Sequence, residues 1–155
     1  MTHAPAHELE QLVAERAAAV GRRDADALLA RQHPQVLAFP LLPPAASRGP
    51  GATARSLQAW FEGYTGGPGY ETRLVQAEVE GDLGWCAYVY RVTGTLDGGD
   101  EVDMWVRSTL VCRRTDAGWQ VVHSHESVPF DAASGDALLQ EAPPTDLLPS
   151  DGPLS

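Results

Sequence analysis

The side chains best suited to chemistry in this 155-residue chain fall in its second half: Tyr88 and Tyr90, then Asp103 and Arg107, then His123 and His125. An imidazole titrates near pH ~6.5 and so exchanges protons at neutral pH. Asp103 would serve as a base if burial raised its pKa, or would orient a histidine and fix its tautomer. Asp103 and Arg107 are four residues apart, roughly 13 Å along a strand at ~3.3 Å per residue, so without a bulge they do not pair. Arg107 is therefore read as a binder of a substrate carboxylate or enolate, or as the partner of a residue on a neighbouring strand. Tyr90 can donate a hydrogen bond to an oxyanion. The chain has no Lys, since all 11 of its basic residues are Arg, so a Schiff base, a P-loop Lys and a Lys general base are excluded.

Each of these residues also has a structural reading. The two histidines could be a hydrogen-bonded pair, and Asp103 the partner of an Arg. A two-His, one-carboxylate metal set would need His123, His125 and Asp103 together, because Glu126 falls on the other side of the alternation. No metal and no cofactor are expected.

The elements that must position these groups follow from periodicity. Leu9, Leu12, Val13, Ala17 and Val20 mark a first helix over His7–Arg22. Asp24 caps a short second helix that must stop by His33, ahead of Pro34. Val36, Leu37 and Phe39 form a short strand, and Pro40–Pro50 a rigid loop. Leu57, Trp60, Phe61 and Tyr64 at i, i+3, i+4 and i+7 predict a third helix. From about residue 70 the period becomes two, giving strands near 70–80, 83–96, 101–115 and 119–128. Gly81-Asp82, Asp97–Asp100 and Thr115–Gly118 supply the hairpin turns.

Helices first and a meander second indicate an α+β fold, a strongly curved antiparallel sheet with three helices in its concave face. Alternation puts Trp119, Val121, His123, His125 and Ser127 on one face and Gln120, Val122, Ser124 and Glu126 on the other. Asp103, Trp105, Arg107 and Thr109 share a face, as do Cys86, Tyr88 and Tyr90. The His123/His125 and Asp103/Arg107 faces are expected to point inward. Trp60, Phe61, Tyr64, Trp105 and Trp119 read as core, some of them walling a pocket.

Composition bounds the partners. With 21 acidic against 11 basic residues, the net charge of −10 argues against nucleic acid. Five of the acids and no cation lie in residues 131–155, together with four prolines. Residues 1–131 are thus read as one domain and 132–155 as a mobile acidic tail. No segment has the ~18 apolar residues of a membrane span, and the polar start lacks a signal-peptide pattern, so a cytoplasmic protein without membrane contact is expected. Cys86 and Cys112 read as small buried hydrophobes.

The element order, with Glu101-Val-Asp-Met-Trp-Val-Arg107 and the run from Gly118 through His123-Ser-His-Glu-Ser-Val-Pro-Phe-Asp131, resembles the SnoaL-like branch of the NTF2-like superfamily. That branch is related to ketosteroid isomerases and small polyketide cyclases. Leu41-Leu-Pro-Pro44, Arg48-Gly49 and Gly67-Pro-Gly-Tyr-Glu71 extend the resemblance over roughly residues 7–131. It implies a pocket between helices and sheet, and a homodimer through the outer sheet face. Tyr90 would take the oxyanion-donor role that Tyr has in ketosteroid isomerase. Two positions depart from the pattern: Pro40 stands where the isomerases carry a catalytic Asp, and Ser124 where relatives have Glu. Steroid isomerisation is therefore not implied, and any base must come from the sheet.

The resulting expectation is a small cofactor-independent enzyme doing acid–base cyclisation or isomerisation on an apolar, carbonyl-containing or polyketide-like molecule. Asp103, His123, His125 and Tyr90 would be catalytic, with Arg107, Trp105, Tyr88, Trp60, Tyr64 and Phe39 binding substrate. The alternative is a non-catalytic small-molecule-binding or dimeric assembly module on the same fold.

Overall fold

The computed structural model describes residues 3–147; the last part of the acidic tail, 148–155, lies outside the described residues. The chain runs α1 (His3–Gly21), α2 (Ala25–Ala30), β1 (Gln32–Phe39), β2 (Ser47–Arg48), α3 (Pro50–Glu62), β3 (Tyr64–Glu80), β4 (Leu83–Leu96), β5 (Glu101–Thr115) and β6 (Gly118–Ser127), then a short 3₁₀ turn at Thr145–Leu147. The architecture is α+β, with three helices and a mixed, mostly antiparallel sheet.

The local rules explain most boundaries. Asp24 caps α2, its carboxylate accepting from the Ala27 amide at 3.0 Å. α2 ends at Ala30, ahead of Pro34, and Pro50 opens α3 at a position where its missing N–H costs nothing. The three turns between β3 and β6 fall where the Gly and Asp residues place them. The end of α3 differs from expectation. The helix stops at Glu62, and Tyr64 opens β3 by pairing with Leu96, so the strand begins six residues before the predicted one. Cross-strand hydrogen bonding outweighs the helical spacing of Tyr64 with Leu57, Trp60 and Phe61.

The sheet order is β2-β1-β6-β5-β4-β3. All pairings are antiparallel except β1 with β6, which run parallel. One face is covered by the helices and holds the core: Cys86, Tyr88, Tyr90 and Val92 from β4, Val106, Leu110 and Cys112 from β5, Trp119 and Val121 from β6, and Leu9, Leu12 and Val13 from α1. Each such side chain contributes on the order of 1.5–3 kcal/mol when fully buried. A second cluster joins Ala19, Val20 and Leu28 to Phe61 of α3. α1 sits close to the sheet at Gly84, where an added Cβ would come within 2.7 Å of Leu9 Cδ1.

One irregularity decides which residues face the core. Along β5–β6, Cys112 pairs with Val121 but Val111 pairs with His123, so Val122 is an extra residue in β6. A bulge of this kind lets two residues oppose one and reverses the alternation beyond it. Val121 remains inside, but Ser124 and Glu126, paired with Leu110 and Ser108, turn inward in place of His123 and His125.

After β6 the chain turns back on itself. Phe130 bridges Ala137, and the Leu138 amide donates to the Pro129 carbonyl at 2.8 Å. The Leu139 carbonyl then accepts from the Trp105 amide at 2.7 Å, on the part of β5 that extends past β6.

Candidate functional site

The inner face gathers a set of polar side chains inside an otherwise apolar core. Tyr88, Ser108 and Glu126 lie side by side on β4, β5 and β6, because Tyr88 pairs with Ser108 and Ser108 with Glu126. Tyr90, two residues further along β4, donates its hydroxyl to Glu126 Oε1 at 3.0 Å. Its ring stacks on Tyr70 of β3, with centroids 4.7 Å apart, and Trp60 of α3 meets Tyr70 edge-on at 6.3 Å.

Arg16 reaches this cluster from α1. It occupies the helical stripe of Leu9, Leu12, Val13 and Val20, and so is carried toward the sheet with them. Its Nη1 is buried without a hydrogen-bond partner, as is the Ser108 hydroxyl. Burial works against its charge, but the Tyr88 and Tyr70 hydroxyls and the Glu126 carboxyl outweigh it and hold the pKa above the usual guanidinium value.

Electrostatics set the protonation of the rest. Burial pushes the Glu126 carboxyl above the usual range, partly offset by the Tyr90 hydrogen bond, the Arg16 charge and the Leu41 backbone. Burial likewise pushes the Tyr70 and Tyr90 phenols well up, so both remain protonated donors. The group thus combines one carboxyl whose pKa burial raises, neutral phenol donors and one guanidinium, in low-dielectric surroundings that strengthen every interaction among them.

Of the residues expected from sequence, Tyr88, Tyr90, Trp60 and Tyr64 lie among the core side chains with this group. The other six occupy the outer face, and the expected inward orientation is corrected for each. Asp103 is exposed and takes a two-pronged hydrogen bond from Arg91 at 2.8 Å on each oxygen. That partner lowers its pKa, so it is an ordinary ionised surface carboxylate. Arg107 is exposed, and Trp105 lies beneath the Arg91 guanidinium, whose carbon is 5.8 Å from the ring centroid.

His123 donates from Nδ1 to the Leu37 carbonyl at 2.7 Å, which fixes the proton on that nitrogen. Phe39 of β1 contacts both imidazoles edge-on, at 4.9 Å from His123 and 5.5 Å from His125. The histidines share a face with each other as the alternation required; the Val122 bulge and the parallel β1 pairing put that face outside. Among the described residues, no three His, Cys, Asp or Glu side chains converge as a metal site.

Glu126, Arg16, Tyr70 and Ser108 are the members that sequence reasoning missed. Arg16 carried a signal, a cation on the apolar stripe of a helix. Glu126 carried a fainter one, the adjacent apolar Val121 and Val122 at the place where a strict alternation would break.

Comparison with known proteins agrees with the architecture. The chain matches the family model described as SnoaL-like domain over residues 9–131. It is similar to the structure of an NTF2-like protein of unknown function from Pseudomonas putida KT2440, with a TM-score of 0.82 and 26% identity over 92% of this chain and 99% of that one. A ketosteroid isomerase-like protein from Erwinia carotovora atroseptica SCRI1043 gives a TM-score of 0.63 at 21% identity, over 76% of this chain and 91% of its own. A candidate dehydratase of the NTF2-like family from Streptomyces avermitilis gives 0.67 at 20%, over 78% and 93%. The last two share the fold alone. None of the curated proteins matches the chain. Among the described residues, no helix is long and apolar enough to cross a membrane.

Proposed function

The chain belongs to the SnoaL-like domain family, and from that premise we propose that it is a small cofactor-independent enzyme that moves a proton on an apolar carbonyl compound. The observation that carries this reading is the half-buried Glu126 carboxyl, hydrogen-bonded by Tyr90 and faced by Arg16. A carboxyl with a raised pKa is matched to proton transfer near neutral pH. As the carboxylate, Glu126 takes a proton from the carbon beside a carbonyl. The negative charge that develops on the carbonyl oxygen is met by a phenol hydroxyl or by Arg16, without reorganising water. Returning the proton to a different carbon gives an isomerisation, and attack of the enolate carbon on a second carbonyl gives a cyclisation.

The base in this scheme comes from the last strand. It replaces the Asp that the ketosteroid isomerase pattern would place at Pro40, and it replaces Asp103, His123 and His125 as the proton carrier expected from sequence. The phenyl and indole rings of Tyr70, Tyr90 and Trp60 supply the apolar wall that holds the substrate body. The test is proton–deuterium exchange into the apolar ketone 2-tetralone in heavy water, followed by NMR. Exchange accelerated by the wild-type chain and lost in Glu126→Gln supports the reading, and equal rates with and without protein refute it.

A second reading, a dimeric assembly module, is favoured by the outer sheet face. Phe39, Trp85 and Trp105 lie there among Arg91, Arg107 and the two histidines, and Trp85 is 36% exposed. Such a mixture of aromatic and Arg side chains is the usual composition of a protein interface. The two readings are compatible, since one uses the inner face and the other the outer.

A further inference from the structure

We propose that the inner face takes a small apolar monocarboxylate, its anionic end held by the Arg16 guanidinium and the Ser108 hydroxyl. This rests on the reading above, because it names the class of compound on which Glu126 would act. The support is geometric. Arg16 Nη1 and Ser108 Oγ are both buried and both without a hydrogen-bond partner among the described residues.

Leaving a buried polar group unmatched costs about 1–3 kcal/mol, and more when it is charged. Five of the ten other arginines meet an acid: Arg22 with Asp24, Arg31 with Glu15, Arg73 with Glu71, Arg91 with Asp103 and Arg114 with Glu8. Glu126 is the acid that faces Arg16, but it gives its short contact to Tyr90 and forms no ion pair with the guanidinium. The sheet register joins the two unmatched atoms into one locality. Ser108 is the cross-strand neighbour of Tyr88, and Tyr88 is the side chain against which Arg16 lies.

The charge and the walls define the ligand. One guanidinium and one hydroxyl match the two oxygens of a carboxylate, whereas a phosphate dianion would bring a second charge with no second cation to meet it. The neighbouring phenols are neutral donors, and Glu126, whose short contact goes to Tyr90, is the one acid beside them. The stacked Tyr70 and Tyr90 rings and Trp60 suit an aromatic or alicyclic body.

Calorimetric titration of the full chain with phenylacetate and with the isosteric neutral phenylacetamide tests this. Phenylacetate is expected to bind at least about 10-fold more tightly than the amide, the scale of one charge-assisted contact. Arg16→Met should abolish that preference, and Glu126→Gln should keep or increase it by removing a competing acid. Should Arg16→Met fail to fold, Arg16→Lys serves instead, and loss of the planar fork should weaken phenylacetate several-fold. Equal affinity for acid and amide, including no binding of either, overturns the proposal, as does a preference that survives both Arg16 substitutions. The exchange of 2-tetralone, which has no carboxylate, depends on Glu126 and not on this contact. Intact exchange with no acid preference therefore sinks only the carboxylate assignment, and the converse sinks only the proton-transfer reading.

Discussion

The hydroxyl of Tyr90 on β4 donates to Glu126 Oε1 on β6 at 3.0 Å, spanning the intervening strand β5. The contact is made at the margin of the core, with Tyr90 6% exposed and Glu126 half-buried. Removing the carboxylate by Glu126→Gln keeps the shape and deletes the base. The deuterium-exchange rate of 2-tetralone is expected to fall by about 10²–10⁴-fold, the usual contribution of a positioned acid–base group. A circular dichroism melt distinguishes this from unfolding, because the amide can still accept from Tyr90.

Tyr90→Phe acts on the same pair from the other side. It leaves a buried carboxyl without its donor, which costs about 1–3 kcal/mol of stability. It also removes an interaction that favours the ionised form, so the pKa of Glu126 should rise further. The acid limb of the exchange-rate profile should then move to higher pH in Tyr90→Phe than in wild type. A limb that stays in place would dissociate Tyr90 from the ionisation of Glu126.

The same burial makes stability depend on pH in a stated direction. The folded pKa of Glu126 lies above its unfolded value, so within that interval the folded state binds more protons than the unfolded state. Its contribution is fully present below the ordinary glutamate value of about 4.3 and is lost as pH rises through the folded pKa. Glu126→Gln has no such titration. The melting temperature of the variant relative to wild type should therefore increase as pH rises from about 4 toward neutrality. A difference that does not change with pH would show that the Glu126 carboxyl titrates alike in the folded and unfolded chain.

Asp103 and His125 provide the control. Both are exposed on the face opposite Glu126, and Asp103 is occupied by Arg91. Asp103→Asn and His125→Ala should each leave the 2-tetralone exchange rate within about twofold of wild type, as expected of surface changes away from the site. A loss of two orders of magnitude in either variant, with the fold intact, would return the chemistry to the outer face.

The contrast between these residues and Glu126 locates what the sequence made legible. Hairpin turns, the Asp24 cap and the order of helices and strands are local signals, and they placed the β4, β5 and β6 boundaries almost to the residue. The grouping of Tyr88 with Tyr90 on one face needed only alternation. The inward face of β6 needed more, because a single inserted residue, Val122, reverses everything after it. The adjacent apolar Val121 and Val122 are the faint mark that the pattern leaves of this insertion, and His123 and His125 look more reactive than Glu126 when read in isolation. Arg16 was legible in principle, since a cation on the stripe of Leu9, Leu12 and Val13 is costly unless the core has a use for it.

Gly84 tests how closely α1 must approach the sheet. An added Cβ there would lie 2.7 Å from Leu9 Cδ1 and 2.9 Å from both the Glu78 carbonyl oxygen and Val79 Cγ2. Leu9 is fully buried and the carbonyl belongs to a paired strand, so only one of the three contacts can yield by a side-chain rotation. Gly84→Val should destabilise the chain by about 1–3 kcal/mol through overpacking, read as an earlier urea midpoint with an unchanged slope. Because α1 also carries Arg16, the displaced helix should weaken phenylacetate binding while leaving His125 and the outer face untouched. A variant as stable as wild type would mean that α1 can draw back from β4 without cost.

The outer face gives the last expectation. Trp105 and Trp85 lie there on β5 and β4 beside Arg91 and Arg107, and Phe39 lies between the two imidazoles. If this surface joins two copies, its centre is desolvated in the pair, and burying an unmatched carboxylate there is strongly unfavourable. Trp105→Glu should therefore convert a dimer into a monomer in sedimentation velocity at micromolar concentration. Its far-ultraviolet spectrum should remain that of wild type, since the position is not in the core. The proposed inner-face chemistry would use Glu126, Tyr90 and Arg16 of one and the same chain. The monomeric variant should consequently retain exchange activity, and a parallel loss of both would mean that association also shapes the inner face.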